Sequence, residues 1–284
     1  MKREIMIALK NIVLTIIIVI IFASCDKIEP PYKQSGNTQI ETPTRKVLLE
    51  DYTGHTCVNC PAAAKKALEI QQLYGDKMII MTVHAGFFAL PTASPFNNDY
   101  RTPAGEEWDQ FFSLSAVGNP IGMVNRQNTG GVYGIGNGNW GTGVAAIIED
   151  ASIIKLEIES SFNETNRKLD VELKSTFLEA ASGNYKIVAC IVEDSLVSAQ
   201  RNNDQTIGPA TILDYVHRHV LRENINGSWG EDLIAVGQLP SSTSNKQYSV
   251  TLNANYKANH TSVVAFVYDA LTFEILQVEE KHIY

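Results

Sequence analysis

The fold of this chain is decided by residues 46–61, which read KVLLEDYTGHTCVNCP. The first five of these residues form an apolar run that predicts a short β-strand. The proline at the end suits the first turn of an α-helix, and apolar residues at helical spacing predict a helix over Pro61–Tyr74 that Gly75 ends. The cysteine pair, Cys57 and Cys60, therefore lies between a strand and the N-terminus of a helix.

This position of the C-x-x-C pair has chemical consequences. Unpaired backbone N–H groups and the positive end of the helix dipole favour a thiolate at Cys57. Thiols in such places have pKa values lowered to roughly 3.5–7.5. Cys60 is spaced to attack a mixed disulfide on Cys57 and release the partner. The pair is a candidate for thiol–disulfide exchange, with a stabilising disulfide on a reused fold as the alternative.

Strand and helix signals continue to alternate beyond this segment. Met78–Val83 is continuously apolar apart from Thr82, as expected of a strand covered on both faces, and a further strand is predicted at Ile121–Asn125. A second helix is predicted to open at Pro103 and a third to span Thr142–Asp150. Strand–helix–strand order indicates a sheet with parallel pairs and helices packed on it, so residues 45–150 are predicted to form an α/β domain.

The pattern changes near residue 150, where period-2 alternation replaces helical spacing. Strands are predicted at 153–159, 168–176, 185–193, 247–253, 262–268 and 273–280. Strands at such spacing, separated by polar turns, are typical of a β-sandwich. We therefore expect residues 151–284 to form an all-β immunoglobulin-like sandwich domain. Residues 194–230 fit no predicted element.

The N-terminus has the organisation of an export signal. Lys2, Arg3 and Lys10 precede an eleven-residue apolar run, which is shorter than the roughly 20 residues needed to span a bilayer. The run ends in FASC, and this resembles the lipobox of bacterial lipoproteins. Residues 1–24 are then a lipoprotein signal peptide that is removed, and Cys25 is the lipidation site. Polar, proline-containing residues 25–44 are expected to form the lipidated tether.

Charge and cysteine usage narrow the possible partners. Loss of residues 1–24, which carry a net charge of +2, lowers the net charge from −8 to −10. No basic run of five or more residues is present, so nucleic acid is excluded as an expected partner. One candidate disulfide, Cys57–Cys60, is compatible with export to an oxidising compartment. A single disulfide cannot hold a chain of this length together, so the class of small disulfide-rich proteins is excluded.

The strand before Cys57, the C-x-x-C pair, the following helix and the segment GNPI at 118–121 together resemble the thioredoxin-like superfamily. The resemblance implies that Pro120 is a cis-proline beside the active-site disulfide and that Asn119 presents its backbone to the bound partner. Thr56 stands where many members have tryptophan. The interval from Cys60 to Pro120 is longer than in minimal thioredoxins, and residues 85–101, which are rich in Phe, Pro and Asn, are interpreted as an insertion beside the site.

Most of the chain after the signal peptide also resembles the outer membrane protein 28-related lipoproteins of anaerobic Gram-negative bacteria. The matching segments are Leu49–Pro61, Gly118–Arg126 and Tyr215–Arg222. The resemblance implies an outer membrane lipoprotein that faces the periplasm or the cell surface. Its expected partners are exported protein thiols or disulfides and, through Cys25, the membrane. The alternative is a binding or adhesin-type lipoprotein whose C-x-x-C pair is structural.

Metal and haem sites find little support in the sequence. A c-type haem motif needs histidine directly after the second cysteine, where this chain has Pro61. A zinc site needs two further ligands, for which His55 and His84 are the candidates, and copper is the other metal considered. His217 and His219 share strand spacing, but paired hydrogen-bonding or surface histidines are the favoured interpretation. No cofactor or metal is predicted.

Two further features have structural explanations. Cys190 lies in an apolar run and is expected to be a small buried hydrophobe. Phe87, Phe88 and Phe96 in the insertion are candidates for lining a substrate groove, although core or loop packing is the more common role of such residues.

Overall fold

The computed structural model describes residues 44–233 and 239–284. The predicted signal peptide, the predicted lipidation site Cys25 and nearly all of the predicted tether lie outside these residues. The helices are α1 (Cys60–Tyr74), α2 (Pro103–Phe112) and α3 (Trp140–Ala145). The strands are β1 (Val47–Thr53), β2 (Met78–His84), β3 (Ile121–Val124), β4 (Ile154–Asn163), β5 (Lys168–Phe177), β6 (Tyr185–Glu193), β7 (Leu196–Arg201), β8 (Thr211–His217), β9 (Val220–Asn224), β10 (Glu231–Asp232), β11 (Thr243–Thr251), β12 (Thr261–Asp269) and β13 (Ile275–His282).

A large mixed sheet organises the described residues. Its order is β13-β12-β6-β9-β2-β1-β3, and β10 pairs with β6. Strands β1 and β2 are parallel over seven residue pairs, whereas β3 is antiparallel to β1. Strand β2 meets β9 in parallel at Thr82 and Val220. The sheet therefore contains strands from both sides of residue 150, where the sequence pattern predicts a boundary between two domains.

The alternation of side chains in β1 creates the two helical layers. Val47 and Leu49 are buried on the face that packs against α1 and against Trp140 of α3. Leu48 and Tyr52 lie on the opposite face, in the core to which α2 contributes. Successive strand residues point to opposite faces, so both faces of this part of the sheet are covered. None of the helices in the described residues is long and apolar enough to cross a bilayer.

A second sheet, ordered β11-β5-β4, covers the other end of the large sheet. Leu156 of β4 and Leu173 of β5 pack against Ile187 and Ala189 of β6. This two-layer arrangement accounts for the sandwich-like pattern after residue 150. One layer, however, is the same sheet that contains β1–β3, so the architecture is β-rich with mixed and antiparallel sheets.

The individual elements agree with the sequence to different degrees. The helix predicted over Pro61–Tyr74 is confirmed as α1, which begins one residue earlier. The third helix is predicted at 142–150 but spans Trp140–Ala145, and it begins with the fully buried side chain of Trp140. Residues 194–230, which fit no predicted element, form the two-stranded β7–β8 sheet and strand β9.

Candidate functional site

The two motif cysteines form a disulfide in the loop between β1 and α1. Their Cα atoms are 5.5 Å apart. Helix α1 begins at Cys60 and has a proline in its first turn, and the side chain of Asn59 makes no capping hydrogen bond. The positive end of the helix dipole is therefore directed at the disulfide. Both cysteines are buried, with 2% of Cys57 and 3% of Cys60 exposed.

Asp51 is a buried carboxyl group on the same face of β1 as Val47 and Leu49, the face that α1 covers. It is 1% exposed, and its Oδ1 has no hydrogen-bond partner among the described residues. Removal from water raises the pKa of Asp51 to about 7. Asp51 lines the same cavity as Cys60. A carboxyl group whose pKa is raised to about 7 thus borders the same cavity as one cysteine of the disulfide.

The β7–β8 hairpin covers one side of the motif through backbone hydrogen bonds. The N–H of Arg201 donates to the carbonyl oxygen of His55 at 2.9 Å, and the N–H of Asn203 donates to that of Val58 at 3.0 Å. These bonds occupy the backbone acceptors that flank the disulfide. The segment that fits no predicted element is therefore the one that encloses the candidate site.

Gln200 fixes the hairpin to the motif more directly. Its Nε2 donates to the carbonyl oxygens of Cys57 at 2.9 Å and Gly54 at 3.3 Å. The side chain of Gln200 is almost fully buried, so these amide bonds form where water cannot replace them. Gln200 was not singled out from the sequence, since a glutamine in an unassigned segment has no distinguishing pattern.

The insertion at residues 85–101 covers the other side. The N–H and Oγ1 of Thr56 both donate to the carbonyl oxygen of Phe88, at 3.1 and 2.9 Å. Gly54 permits this approach, because a Cβ atom there would lie 2.2 Å from the carbonyl carbon of Phe88. Phe96 is buried and stacks on His55 with ring centroids 6.0 Å apart. Phe87, in contrast, is largely exposed.

A cluster of two imidazole rings and one phenol ring lies where β2, the insertion and β8 meet. The rings of His84 and His217 are 5.4 Å apart, and Tyr100 is 5.2 Å from His84. His217 shares a 2.9 Å hydrogen bond with Ser198, and neither ring nitrogen of His84 has a partner among the described residues. Burial and the neighbouring His217 hold the pKa of His84 well below its usual value. Within residues 44–233 and 239–284, no three His, Cys, Asp or Glu residues are arranged to hold a metal ion.

The remaining predicted residues belong to β3 and its approach and to β6. Asn119 and Pro120 are joined by a cis peptide bond and directly precede β3. Strand β3 pairs with β1, where Ile121 is opposite Tyr52, so the strand that leads into the motif is its neighbour. The side-chain amide of Asn119 is buried without a partner in the described part of the chain. Cys190 is fully buried, as expected of a small hydrophobe, and forms no disulfide with any described residue.

A cavity of about 610 Å³ lies between α1 and the β7–β8 hairpin. Cys60, Ala64 and Leu68 line its α1 side at i, i+4 spacing, which places them on one face of the helix. Asp51 and Tyr215 also line it. Of the two cysteines, Cys60 is the one that borders this space.

The sequence of this chain matches a known protein family. The model of the family described as Outer membrane protein Omp28 matches residues 108–284, which is more than half of the chain. No curated protein matches the chain.

Several solved structures resemble this one. HBP35 of Porphyromonas gingivalis is 14% identical with a TM-score of 0.58, and the match covers 84% of this chain and 75% of that one. A protein from Agrobacterium tumefaciens is 10% identical with a TM-score of 0.52, over 85% of this chain and 96% of that one. A domain of the outer membrane lipoprotein Omp28 from Porphyromonas gingivalis is 23% identical with a TM-score of 0.33, over 46% of this chain and 88% of that one. At these identities the first two matches establish likeness of fold.

Proposed function

The chain belongs to the Outer membrane protein Omp28 family, and from that premise we propose that it is an outer membrane lipoprotein whose Cys57–Cys60 couple exchanges disulfides with exported proteins. The family supports the outer membrane as the location. The proposed anchor is a lipid on Cys25 within the FASC motif, and the proposed orientation is toward the periplasm or the cell surface. The activity is argued from the disulfide and the groups around it.

The observation that supports exchange most strongly is the buried carboxyl group of Asp51. Burial without a partner for Oδ1 destabilises the fold, and a purely structural bridge has no use for such a group. Its pKa of about 7 is suited to accepting and returning a proton near neutral pH. Strongly shifted pKa values in clefts are concentrated at functional sites. Asp51 and Cys60 border one cavity, and this shared position supports a role for the carboxyl group in taking the proton of the Cys60 thiol.

The proposed reaction uses both cysteines of the reduced protein. The Cys57 thiolate, stabilised at the N-terminus of α1, attacks a partner disulfide, forms a bond to one partner sulfur and expels the other as a thiolate. Asp51 then takes the proton of Cys60. The Cys60 thiolate attacks Sγ of Cys57, so that the Cys57–Cys60 disulfide forms and the partner leaves fully reduced. The protein is oxidised by two electrons, and the reverse sequence oxidises a partner dithiol.

Asn119 and Pro120 are proposed to orient the partner. They precede β3, which lies beside β1 in the sheet, and the amide of Asn119 has unused hydrogen-bonding capacity in the described structure. A partner segment that pairs with this backbone would bring its sulfur to the edge where the motif loop begins. The β7–β8 hairpin must then move away from the motif, since its hydrogen bonds to His55 and Val58 cover Cys57.

A binding lipoprotein with a structural disulfide is the second candidate. It is favoured by the burial of both cysteines and by the cover that the hairpin and the insertion provide. In this function the bridge holds the loop between β1 and α1, and the cavity beside α1 binds a ligand. The two candidates differ in the reactivity that they require of Cys57.

Trapping of mixed disulfides tests the proposal. The Cys60→Ser variant, expressed in the native host, retains Cys57 but cannot resolve a mixed disulfide, so we expect adducts with exported proteins that reductant releases. The matched control is the double variant Cys57→Ser/Cys60→Ser, which should form none. If Cys60→Ser forms no more adducts than the double variant, the exchange function is wrong and the binding function stands.

A further inference from the structure

The closed structure blocks polypeptide partners but leaves another approach to the disulfide. The carbonyl oxygens of His55 and Val58 are occupied by the hairpin, and Thr56 is bonded to Phe88 of the insertion. A partner strand cannot pair with these groups while the covers are in place. The cavity beside α1, in contrast, reaches Cys60 without displacing either cover.

Several residues of α1 line the helix side of the cavity. Among them, Cys60, Ala64 and Leu68 follow each other at one-turn intervals, so the small side chain of Ala64 is the next residue after Cys60 on this face of the helix. Asp51 borders the same space from β1, with its Oδ1 unpartnered in the described structure. The cavity is thus lined by Cys60 and by the buried carboxyl group of Asp51. Thiol–disulfide exchange requires a sulfur atom that can be attacked and a group that accepts or returns the proton of a thiol.

From this arrangement we propose that a low-molecular-weight thiol enters the cavity and reduces the disulfide by attacking Cys60 while the hairpin stays closed. The inference rests on the proposed function, because it presupposes that the Cys57–Cys60 couple is redox-active. The disulfide then has two separate routes of access. An exported protein reacts with Cys57 after the hairpin opens, and a small thiol enters the cavity and reduces the disulfide again.

The chemical step is balanced by two small thiols. The first thiolate forms a bond to Sγ of Cys60, the Cys57–Cys60 bond breaks, and its electron pair leaves on Cys57 as a thiolate. A second small thiolate attacks the small-molecule sulfur of the mixed disulfide and expels the Cys60 thiolate, which takes a proton from Asp51. The products are one small disulfide and the reduced protein. Cys57 is the better leaving group, because the α1 N-terminus stabilises its thiolate and thiolates of low pKa leave faster.

Size and charge define the class of thiol. The volume of about 610 Å³ lies within the roughly 300–1,000 Å³ typical of small-molecule sites and is too small for a folded protein segment. The lining includes both signs of charge, with Lys65 and Glu69 on α1 and Arg218 directly after β8. The site therefore suits a zwitterionic thiol of the cysteine class.

Two single-cysteine variants of the full-length protein test which sulfur the small molecule reaches. Cys57→Ser leaves Cys60, and Cys60→Ser leaves Cys57. Each variant is treated with cystine, and formation of the mixed disulfide with cysteine is followed by mass spectrometry. The rate of this reaction in the folded protein is then divided by its rate for the same variant in denaturant. We expect this ratio to be at least about tenfold higher for Cys60 than for Cys57, because Cys60 borders the cavity.

Replacing one of two alanines of α1 with leucine tests cavity entry while both cysteines are present. Ala64→Leu fills the space beside Cys60, whereas Ala62→Leu adds the same side chain on the same helix at a position that does not border the cavity. Reduction by cysteine should slow by about tenfold in Ala64→Leu and by less than about twofold in Ala62→Leu.

The outcomes separate this inference from the function on which it rests. A higher ratio for Cys60 together with slow reduction of Ala64→Leu supports cavity entry. A higher ratio for Cys57, or equal reduction of the two leucine variants, overturns cavity entry while exchange itself stands. If neither cysteine reacts in the folded protein and cysteine reduces no variant without denaturant, both the inference and the exchange function are wrong.

Discussion

At the scale of single residues, the properties of Asp51 follow from its position in a strand. β1 alternates its side chains between two buried faces, so a carboxyl group at position 51 is carried into the α1 face with Val47 and Leu49. Water is excluded there, and the neutral form of the acid is favoured. The same position brings it to the wall of the cavity that Cys60 borders. The raised pKa of Asp51 and its position at the cavity wall thus both result from its place in β1.

The stability of the protein should therefore depend on pH through Asp51. Folding raises its pKa from 3.8 to about 7, so the folded protein binds more protons than the unfolded chain between these values. The stabilising contribution of the protonated form is complete below the unfolded pKa and is lost as pH rises through the folded pKa. Asp51→Asn should remove this loss and increase the free energy of unfolding at pH 8 by up to about 4 kcal/mol.

Urea denaturation of the oxidised protein at several pH values measures this effect. Asp76→Asn, on the exposed turn after α1, is the matched control and should leave the pH profile unchanged. Equal profiles for the wild type and Asp51→Asn would show that Asp51 is not desolvated in the folded protein.

The ion pair between Glu50 and Arg126 gives a second prediction at this scale. Arg126 donates from Nε at 2.9 Å and from Nη2 at 2.8 Å to the two carboxylate oxygens, and both side chains are fully buried. Glu50→Gln leaves the buried guanidinium without a counter-charge, so we expect a loss of about 3–5 kcal/mol in the free energy of unfolding. The exposed pair of Lys66 and Glu69 provides the control, since Glu69→Gln should cost less than about 1 kcal/mol.

At the scale of elements, the β7–β8 hairpin controls access to the disulfide. It is a separate two-stranded sheet, and His217 of β8 packs against His84. The hairpin is attached to the motif by the hydrogen bonds of Arg201, Asn203 and Gln200. A few bonds of this kind can be broken together without disturbing the large sheet. The hairpin is therefore the element that can open while the core remains folded.

Weakening the hairpin should speed up attack on the disulfide. Gln200→Ala removes the bonds to the carbonyl oxygens of Cys57 and Gly54, a loss of about 1–2 kcal/mol in the closed state, which corresponds to roughly a tenfold increase in the open population. The rate of reduction by a thiol protein should rise by that factor. Val197→Ala, at an exposed position of β7, is the control. An unchanged rate in Gln200→Ala would mean that the hairpin does not limit access.

At the scale of the whole molecule, the continuous sheet joins the two halves of the sequence. β9 lies between β2 and β6, so residues after position 150 complete the sheet that residues before it begin. We expect residues 44–284 to unfold in one cooperative transition, with coincident near-UV and far-UV circular dichroism curves in urea. Neither 45–150 nor 151–284 should fold when expressed separately. Two resolved transitions would instead support independent domains with a boundary near residue 150.

The sequence predicted the elements that have strong local signals. Helix α1, strand β2 and the disulfide motif were recognised from the local spacing of apolar residues and from the Pro, Gly and Cys residues that bound these elements. Such patterns can be read from a single sequence. The order of strands in the large sheet and the cover over the motif depend on contacts between distant residues, such as Gln200 with Cys57, for which local patterns give no signal. Asp51 was not singled out either, because the predicted strand ended at Glu50, whereas β1 continues to Thr53 and carries Asp51 into the buried face that α1 covers.

The reduction potential of the Cys57–Cys60 couple tests the central claim most directly. The oxidised and reduced forms are equilibrated in glutathione buffers and quantified by alkylation and mass, with Asp51→Asn measured in parallel. An exchange couple predicts a potential above about −300 mV, within the range of about −270 to −120 mV spanned by known exchange proteins. A potential below about −300 mV, unchanged in Asp51→Asn, would identify a structural bridge and contradict the account.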